Sequence, residues 1–220
     1  MKLAELLKSI HIHDNIPDID ISGVQEDSRA VRPGDLFIAR SGTKTNGAAF
    51  LADAQKAGAV AAIVQQQASG ITIPQITVPD PLAVISQLAE AFHGYPSRTL
   101  KVMGVTGTNG KTTTAYIIRD ILRSAGIRCG MIGTVQIDDG CSVAEASMTT
   151  PSPIEVARYL ASMRDNSCDA CAMEVSSHAL DQKRVDGMRF AAGAFTNLTG
   201  DYLDYHKTMQ AYADAKARLF

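Results

Sequence analysis

The sequence lacks any uninterrupted run of about 18 apolar residues, so we expect no membrane-spanning helix. Its first residues, MKLAELLKSIHIHD, mix charged with apolar side chains and lack a small-residue cleavage site, which argues against a secretory signal peptide. The formal net charge is only −2, and no polybasic stretch indicates nucleic acid or an anionic lipid surface. These absences predict a soluble cytoplasmic protein that neither binds nucleic acid nor inserts into a membrane.

Cysteine is scarce, with four residues at positions 129, 141, 168 and 171. Cys168 and Cys171 form a C-x-x-C, but a structural zinc site needs a second pair of ligands. A redox site places its nucleophile at the start of a helix, whereas DACAMEV is typical of a buried strand. We therefore predict free, chemically inert thiols and no disulfides.

No internal repeat or low-complexity tract is present, and 45% of the 220 residues are hydrophobic, which suits one large domain or two small ones. From Ser22 to Val78, strand and helix patterns alternate, which indicates α/β structure, and the helix AFLADAQKAGA is predicted to end at Gly58. The segment YPSRT, Tyr95 to Thr99, is the best candidate linker. We predict one α/β domain over residues 1–97 and a second over 98–220 with a mostly parallel sheet.

The second domain is predicted to open with the buried strand LKVMGVT, a glycine-rich turn and a helix. In that helix Ile117, Ile118, Ile121 and Leu122 recur at helical spacing and predict one apolar face, and Gly126 is placed to end it.

Ser152, Pro153 and Glu155 predict the start of a later helix through a capping box. DACAMEV and FAAGAFTNL are predicted as core strands, and MQAYADAKARLF as a final helix without a signal for its end. We therefore expect an incomplete second domain.

The strongest chemical signal is GVTGTNGKTTT, Gly104 to Thr114, between the predicted strand and helix. Its glycines permit a tight turn in which backbone N–H groups face phosphate oxygens. Lys111 then reaches the terminal phosphates and the Thr112 hydroxyl faces Mg²⁺. The glycine spacing departs from G-x-x-x-x-G-K-[ST], and glycines can also serve only a tight connection. The order of glycines, lysine and threonines favours a phosphate loop.

This loop is similar to the G-x-x-G-T-N-G-K-T of the Mur ligase family, and further blocks resemble its MurE branch in the same order. Those blocks are EDSRAVRPGDLFIARSG, TTPSP, MEVSSHALDQKRV, FTNLTGDYLDYHKTM and YADAKARLF. At Tyr202 the branch usually has histidine near its second metal, whereas this chain has tyrosine.

The resemblance implies an N-terminal UDP-binding domain and a truncated ATP-binding P-loop domain, without the C-terminal amino-acid-binding domain. It implies a monomeric ligase of peptidoglycan biosynthesis that uses ATP and Mg²⁺ to add meso-diaminopimelate or lysine to UDP-N-acetylmuramoyl-L-alanyl-D-glutamate through an acyl phosphate. Two alternatives remain: a catalytically silent module that binds ATP or the UDP-precursor, and a folylpolyglutamate-synthetase-like ligase.

The resemblance also implies roles for individual residues. The ATP-binding set is Gly107, Thr108, Asn109, Gly110, Lys111, Thr112 and Thr113. The substrate-binding set is Ser28, Thr43, Lys44, Thr45, Thr149, Thr150, Ser176, Gln182 and Arg184. From sequence alone each of these residues is more often an ordinary exposed polar residue, and only the whole set favours substrate binding.

The implied catalytic residues are Lys111, Glu174 and Lys216, and the implied metal ligands are Thr112, Glu174 and a carbamylated Lys216. Glu174 ends the strand CAMEV, where open α/β sheets place ligand-binding groups. By itself Lys216 is an ordinary solvated helix residue. His178 and His206 are predicted to be structural, because Mg²⁺ prefers oxygen ligands.

Overall fold

The computed structural model describes residues 1–13, 16–40 and 47–220. This part of the chain divides into two compact units, Met1–Phe92 and His93–Phe220. The division falls shortly before the boundary predicted at position 97. The mixed α/β class predicted from the alternating strand and helix patterns is confirmed.

Unit 1 contains a parallel sheet in the order β1-β2-β3-β4, flanked by helices. Its elements are α1 (Leu3–Leu7), β1 (Gly23–Gln25), β2 (Asp35–Ile38), α2 (Leu51–Ala57), β3 (Ala61–Val64), β4 (Gln75–Thr77) and α3 (Pro81–Phe92). Phe37 and Leu51 are buried between the sheet and α2. Helix α2 ends at Gly58, as predicted, because Gly58 takes the left-handed conformation that closes a helix.

Unit 2 contains a larger, mostly parallel sheet in the order β10-β5-β9-β6-β7-β8. Its elements are α4 (Pro96–Thr99), β5 (Lys101–Thr106), α5 (Lys111–Ser124), β6 (Cys129–Ile132), β7 (Gln136–Asp138), β8 (Val143–Glu145), α6 (Pro153–Asp165), β9 (Ala170–Glu174), α7 (Ser177–Asp181), β10 (Phe190–Phe195), α8 (Leu203–His206) and α9 (Met209–Ala217). The antiparallel strands β7 and β8 were not predicted.

Strand β5 shows how unit 2 builds its core, because alternate side chains point to opposite faces of a strand. Val105 joins the cluster that packs under α5, whereas Val102 joins the cluster under α6. The parallel order β10-β5-β9-β6 brings the carboxyl ends of these strands to one edge. Residues that follow the strands therefore meet at that edge.

Three local predictions need correction. The predicted linker contains α4, which starts at Pro96, a residue whose fixed φ suits the first helical position. Strand β10 is not a core strand: it lies at the sheet edge, and Phe195 is 51% exposed. The apolar face of α5 is narrower than predicted, since Ile117 and Ile121 are 52% and 63% exposed. Ile117 and Ile121 lie one helical turn apart and therefore share one side of α5, which the sheet leaves exposed.

The predicted capping box at the start of α6 is confirmed. Ser152 Oγ accepts a hydrogen bond from the Glu155 N–H at 3.3 Å, and the Glu155 carboxylate accepts from the Ser152 N–H at 3.1 Å, which completes the capping box. All four cysteines are free. Complete burial of Cys171 in β9 raises the pKa of its thiol well above the ordinary value. In the described part of the chain no helix is long and apolar enough to cross a bilayer.

Candidate active site

The turn between β5 and α5 is tight because two of its glycines take positive φ angles. Gly107 has a φ of 148°, and Gly110, the N-cap of α5, has a φ of 81°. A Cβ at Gly107 would lie 1.9 Å from Thr196 Oγ1, so only glycine fits there. The turn presents the N–H groups at the start of α5, where the helix dipole favours an anion.

A cleft of about 530 Å³ lies at this turn. It is lined by Gly107, Thr108, Asn109, Gly110, Lys111, Thr112, Thr134, Met148, Thr149, Thr150, Glu174, Ser176, Ser177, His178, Arg184, Tyr202 and Lys216. Most of the residues predicted in unit 2 to bind ATP or substrate therefore share one cleft. Thr113 and Gln182 are outside its lining.

Two lysine side chains converge on the carbonyl oxygen of Gly107. Lys111 Nζ donates to it at 2.9 Å and to the Thr108 carbonyl at 2.8 Å, and Lys216 Nζ donates to it at 2.7 Å. Burial lowers the pKa of Lys111, and the charge of Glu174 partly opposes this effect. Burial, and then the charge of Lys111, lower the pKa of Lys216 to about 8. Lys216 is therefore easily converted to a neutral amine.

This pKa predicts how the stability of the chain depends on pH. Unfolded Lys216 binds its proton up to about pH 10.5, whereas the folded side chain loses it near pH 8. Between these values the unfolded state binds more protons, so the free energy of unfolding rises with pH.

Lys216→Met removes this titration while keeping a long, unbranched side chain. Between pH 7.5 and 9.5, we expect the free energy of unfolding of the unsubstituted chain to rise by on the order of 2 kcal/mol more than that of Lys216→Met. Urea denaturation followed by circular dichroism at both pH values measures this difference. Parallel pH dependence of the two proteins would contradict the depressed pKa.

Glu174 ends β9 with its carboxylate fully buried. Thr112 Oγ1 donates to Glu174 Oε2 at 2.9 Å. Thr134 donates its backbone N–H to Oε1 at 2.9 Å and its hydroxyl to Oε2 at 3.1 Å. The carboxylate therefore joins the first turn of α5 to the turn that follows β6.

The predicted substrate residues of unit 2 form a connected network beside Glu174. The buried Thr150 donates its hydroxyl to the Glu174 carbonyl at 2.9 Å and accepts from the Ser176 N–H at 3.0 Å. Arg184 donates to the Thr150 carbonyl at 2.6 Å and, through Nε and Nη2, to Gln182 Oε1. Gln182 thus contacts the cleft through Arg184.

Sequence reasoning assigned no role to Thr196 and Asn197, which follow β10 and form hydrogen bonds to the phosphate loop. Thr196 Oγ1 donates to the Asn109 carbonyl at 2.6 Å, and Asn197 Oδ1 accepts from the Asn109 N–H at 3.0 Å. The Thr108 N–H donates to the Asn197 carbonyl at 2.9 Å. The available signal was the polar TNLT at the end of the predicted strand FAAGAFTNL, because residues at the carboxyl ends of parallel strands meet at one edge.

Tyr212 was also missed. It is fully buried, its hydroxyl lies 3.1 Å from Thr108 Oγ1, and Lys216 Nζ lies 4.4 Å from the centre of its ring. Tyr212 thereby contacts both the phosphate loop and Lys216. The ring of His206 packs on it at 5.1 Å, and His206 Nε2 lies 2.9 Å from Ser177 Oγ, which fits the predicted structural role.

Tyr202, where the family usually has histidine, lines the cleft and is 41% exposed. Its ring makes an edge contact with His178 at 5.5 Å. Burial, and then the neighbouring His206, lower the pKa of His178. Tyr202 therefore presents a phenol, instead of an imidazole, at this side of the cleft.

The donors around Glu174 suit Mg²⁺. No group of three or more histidine, cysteine, aspartate or glutamate residues with metal-binding geometry occurs in the described ranges. The carboxylate of Glu174 and the hydroxyl of Thr112 are hard oxygen donors, held 2.9 Å apart in the cleft. Mg²⁺ uses few protein ligands of this type together with water and phosphate oxygens. The residues present therefore fit this cation.

In unit 1, Ser28 follows the carboxyl end of β1 and starts a short 3₁₀ turn capped by Asp27, whose carboxylate accepts from the Arg29 N–H. The other residues predicted there, Thr43, Lys44 and Thr45, lie outside the described residues.

Both units match one enzyme family along the sequence. A profile described as the Mur ligase middle domain matches residues 105–220, and one described as the Mur ligase family, catalytic domain, matches residues 20–93. The chain belongs to the Mur ligase family.

Two relatives carry the name UDP-N-acetylmuramoyl-L-alanyl-D-glutamate–2,6-diaminopimelate ligase. The protein from Gloeobacter violaceus is 45% identical over 223 residues, which cover 100% of this chain and 45% of the relative. The protein from Syntrophomonas wolfei is 43% identical, with coverage of 100% and 46%. A solved structure of a ligase with this name matches with a TM-score of 0.81 and 28% sequence identity. The match covers 100% of this chain and 45% of the chain in that structure. The chain therefore spans less than half the length of these relatives.

Proposed function

We propose that this chain forms the ATP- and UDP-precursor-binding part of a ligase of peptidoglycan precursor synthesis. The ligase adds meso-diaminopimelate, or lysine, to UDP-N-acetylmuramoyl-L-alanyl-D-glutamate, and acts as a cytoplasmic monomer. One observation carries the proposal: the phosphate loop, Glu174, Lys216 and the polar residues around Thr150 line a single cleft. The names of the relatives, which are diaminopimelate ligases, support the choice of substrate.

The reaction needs an activated carboxylate, because an amine does not displace a carboxylate oxygen directly. The terminal carboxylate of the precursor attacks the γ-phosphate of ATP, which forms an acyl phosphate and releases ADP. The amine of the diamino acid then attacks the carbonyl carbon, and phosphate leaves from the tetrahedral intermediate. In this scheme the N–H groups of Gly110 and of the first turn of α5 hold the phosphates, and Lys111 offsets charge on the phosphoryl group.

Thr112, Glu174 and Lys216 are proposed to supply the remaining roles. Thr112 and Glu174 would hold Mg²⁺, which when bound offsets negative charge on the phosphates. Lys216 is proposed to react with CO₂ as a neutral amine, losing a proton and becoming an anionic carbamate that adds a further oxygen ligand. Its pKa of about 8 supports this step.

Each unit is proposed to bind one part of the precursor. Thr149, Thr150, Ser176 and Arg184 are placed to bind its muramoyl dipeptide, with Gln182 orienting Arg184, whose planar fork suits a carboxylate or phosphate. Ser28, together with Thr43, Lys44 and Thr45, is proposed to bind the uridine end.

Isothermal titration calorimetry tests both binding functions. We expect the chain to bind ATP with Mg²⁺ and, separately, the UDP-muramoyl dipeptide. Heat with ATP but none with the dipeptide would contradict the role given to unit 1. Absence of nucleotide binding would overturn the proposal as a whole.

Phosphate release distinguishes a ligase from the silent binding module. Release that requires both the UDP-muramoyl dipeptide and diaminopimelate would reject the silent module, and binding without release would support it. The 45% identity along the whole chain to a diaminopimelate ligase favours the proposed ligase over one of the folylpolyglutamate-synthetase type.

A further inference from the structure

We propose that Thr134 is a positioning residue that fixes the Glu174 carboxylate and links it to the precursor side of the cleft. The inference rests on the proposed function. Thr134 lies in the turn between β6 and β7, outside every motif that the sequence singled out. Thr134 lines the cleft. In the described part of the chain it is the one residue that donates hydrogen bonds to both carboxylate oxygens of Glu174.

The backbone of this turn is fitted to the carboxylate. A Cβ at Gly133 would lie 2.5 Å from Glu174 Oε1, so a side chain there would displace the carboxylate. The absence of that side chain lets the Thr134 N–H approach Oε1 to 2.9 Å. Gly133 and Thr134 therefore form a close-fitting cradle for one face of Glu174.

The Thr134 hydroxyl contacts two oxygen atoms. It is placed to donate to Glu174 Oε2 at 3.1 Å and to Thr149 Oγ1 at 3.0 Å. Its single proton bonds to one of these two oxygens at a time. Thr149, Thr134 and Glu174 therefore form a chain of contacts.

This chain connects the two halves of the proposed reaction. Thr149 belongs to the proposed precursor site, and Oε2 of Glu174 also accepts from Thr112 in the first turn of the nucleotide-binding helix. Without the Thr134 hydroxyl, Oε2 loses one of its two donors and the carboxylate can rotate away from Thr112. The expected defect is specific to Mg²⁺-dependent nucleotide binding, because the amides of the phosphate loop are untouched.

Thr134→Val tests this inference, since it removes the hydroxyl and keeps the side-chain size. Calorimetry should show ATP affinity in Mg²⁺ reduced roughly tenfold, with ATP affinity in EDTA unchanged. Thr134→Ser keeps the hydroxyl and should restore the affinity in Mg²⁺. Thr99→Val makes the same chemical change at an exposed position at the end of α4, and should behave as the unsubstituted chain.

The outcomes separate the inference from the proposed function. Equal losses in Mg²⁺ and in EDTA, or no loss in either, would overturn the role of Thr134. If Thr134→Val fails to fold, failure of Thr134→Ser to match the unsubstituted chain in Mg²⁺ would overturn it as well. Failure of the unsubstituted chain to bind any nucleotide would overturn the proposed function, and the inference with it.

Discussion

Lys111→Ala is expected to weaken ATP binding by about a hundredfold. The ammonium of Lys111 donates to the carbonyls of Gly107 and Thr108 at 2.9 and 2.8 Å, so it lies directly over the phosphate loop. A bound triphosphate replaces these neutral acceptors with charged oxygens, which form stronger hydrogen bonds. Loss of two such bonds accounts for the expected factor. Calorimetry with ATP and Mg²⁺ measures it.

Lys101→Ala is the matched control, because Lys101 is exposed at the start of β5, at the other end of the strand from the loop. It should bind ATP as the unsubstituted chain does. Binding of UDP should be retained by Lys111→Ala, since the proposed uridine site lies in unit 1. Unchanged ATP affinity in Lys111→Ala would contradict the assignment of the phosphate loop.

Gly107→Ala is expected to lower the free energy of unfolding by roughly 3 kcal/mol and to abolish ATP binding. The added Cβ would lie 1.9 Å from Thr196 Oγ1, at a φ of 148° that side chains rarely adopt. Steric overlap and backbone strain each cost about 1–3 kcal/mol. The overlap also displaces Thr196, which donates to the Asn109 carbonyl within the phosphate loop.

Gly126→Ala provides the comparison. Gly126 also has a positive φ, 80°, but a Cβ there meets no atom within 4 Å. This substitution should cost only about 1–2 kcal/mol of backbone strain and leave ATP binding intact. Urea denaturation and calorimetry on both variants separate strain from overlap. Equal stability losses in the two would show that the contact between Gly107 and Thr196 is not tight.

The sequence predicted those parts of the fold that local interactions control. The capping box at Ser152, the end of α2 at Gly58 and the turn before Lys111 each depend on residues within a few positions of one another. Local geometry restricts such segments to few conformations, so residue type and spacing were sufficient to predict where these helices begin or end.

The sequence was less informative where burial depends on neighbouring elements. The pattern of α5 gave the helix, but the exposure of Ile117 and Ile121 depends on how much of the helix the sheet covers. FAAGAFTNL predicted β10, but apolar composition does not distinguish an edge strand from a central one.

By itself the sequence determined that a glycine-rich turn, a lysine and a helix start occur together, and that Glu174 ends a buried strand. Only the tertiary structure decided their partners. Thr134 contacts Glu174 across 40 positions, and Lys216 contacts the Gly107 carbonyl across 109. These contacts between residues far apart in the sequence arise because the parallel strand order brings the carboxyl ends of distant strands to one edge of the sheet. No short-range sequence pattern encodes which loops meet there.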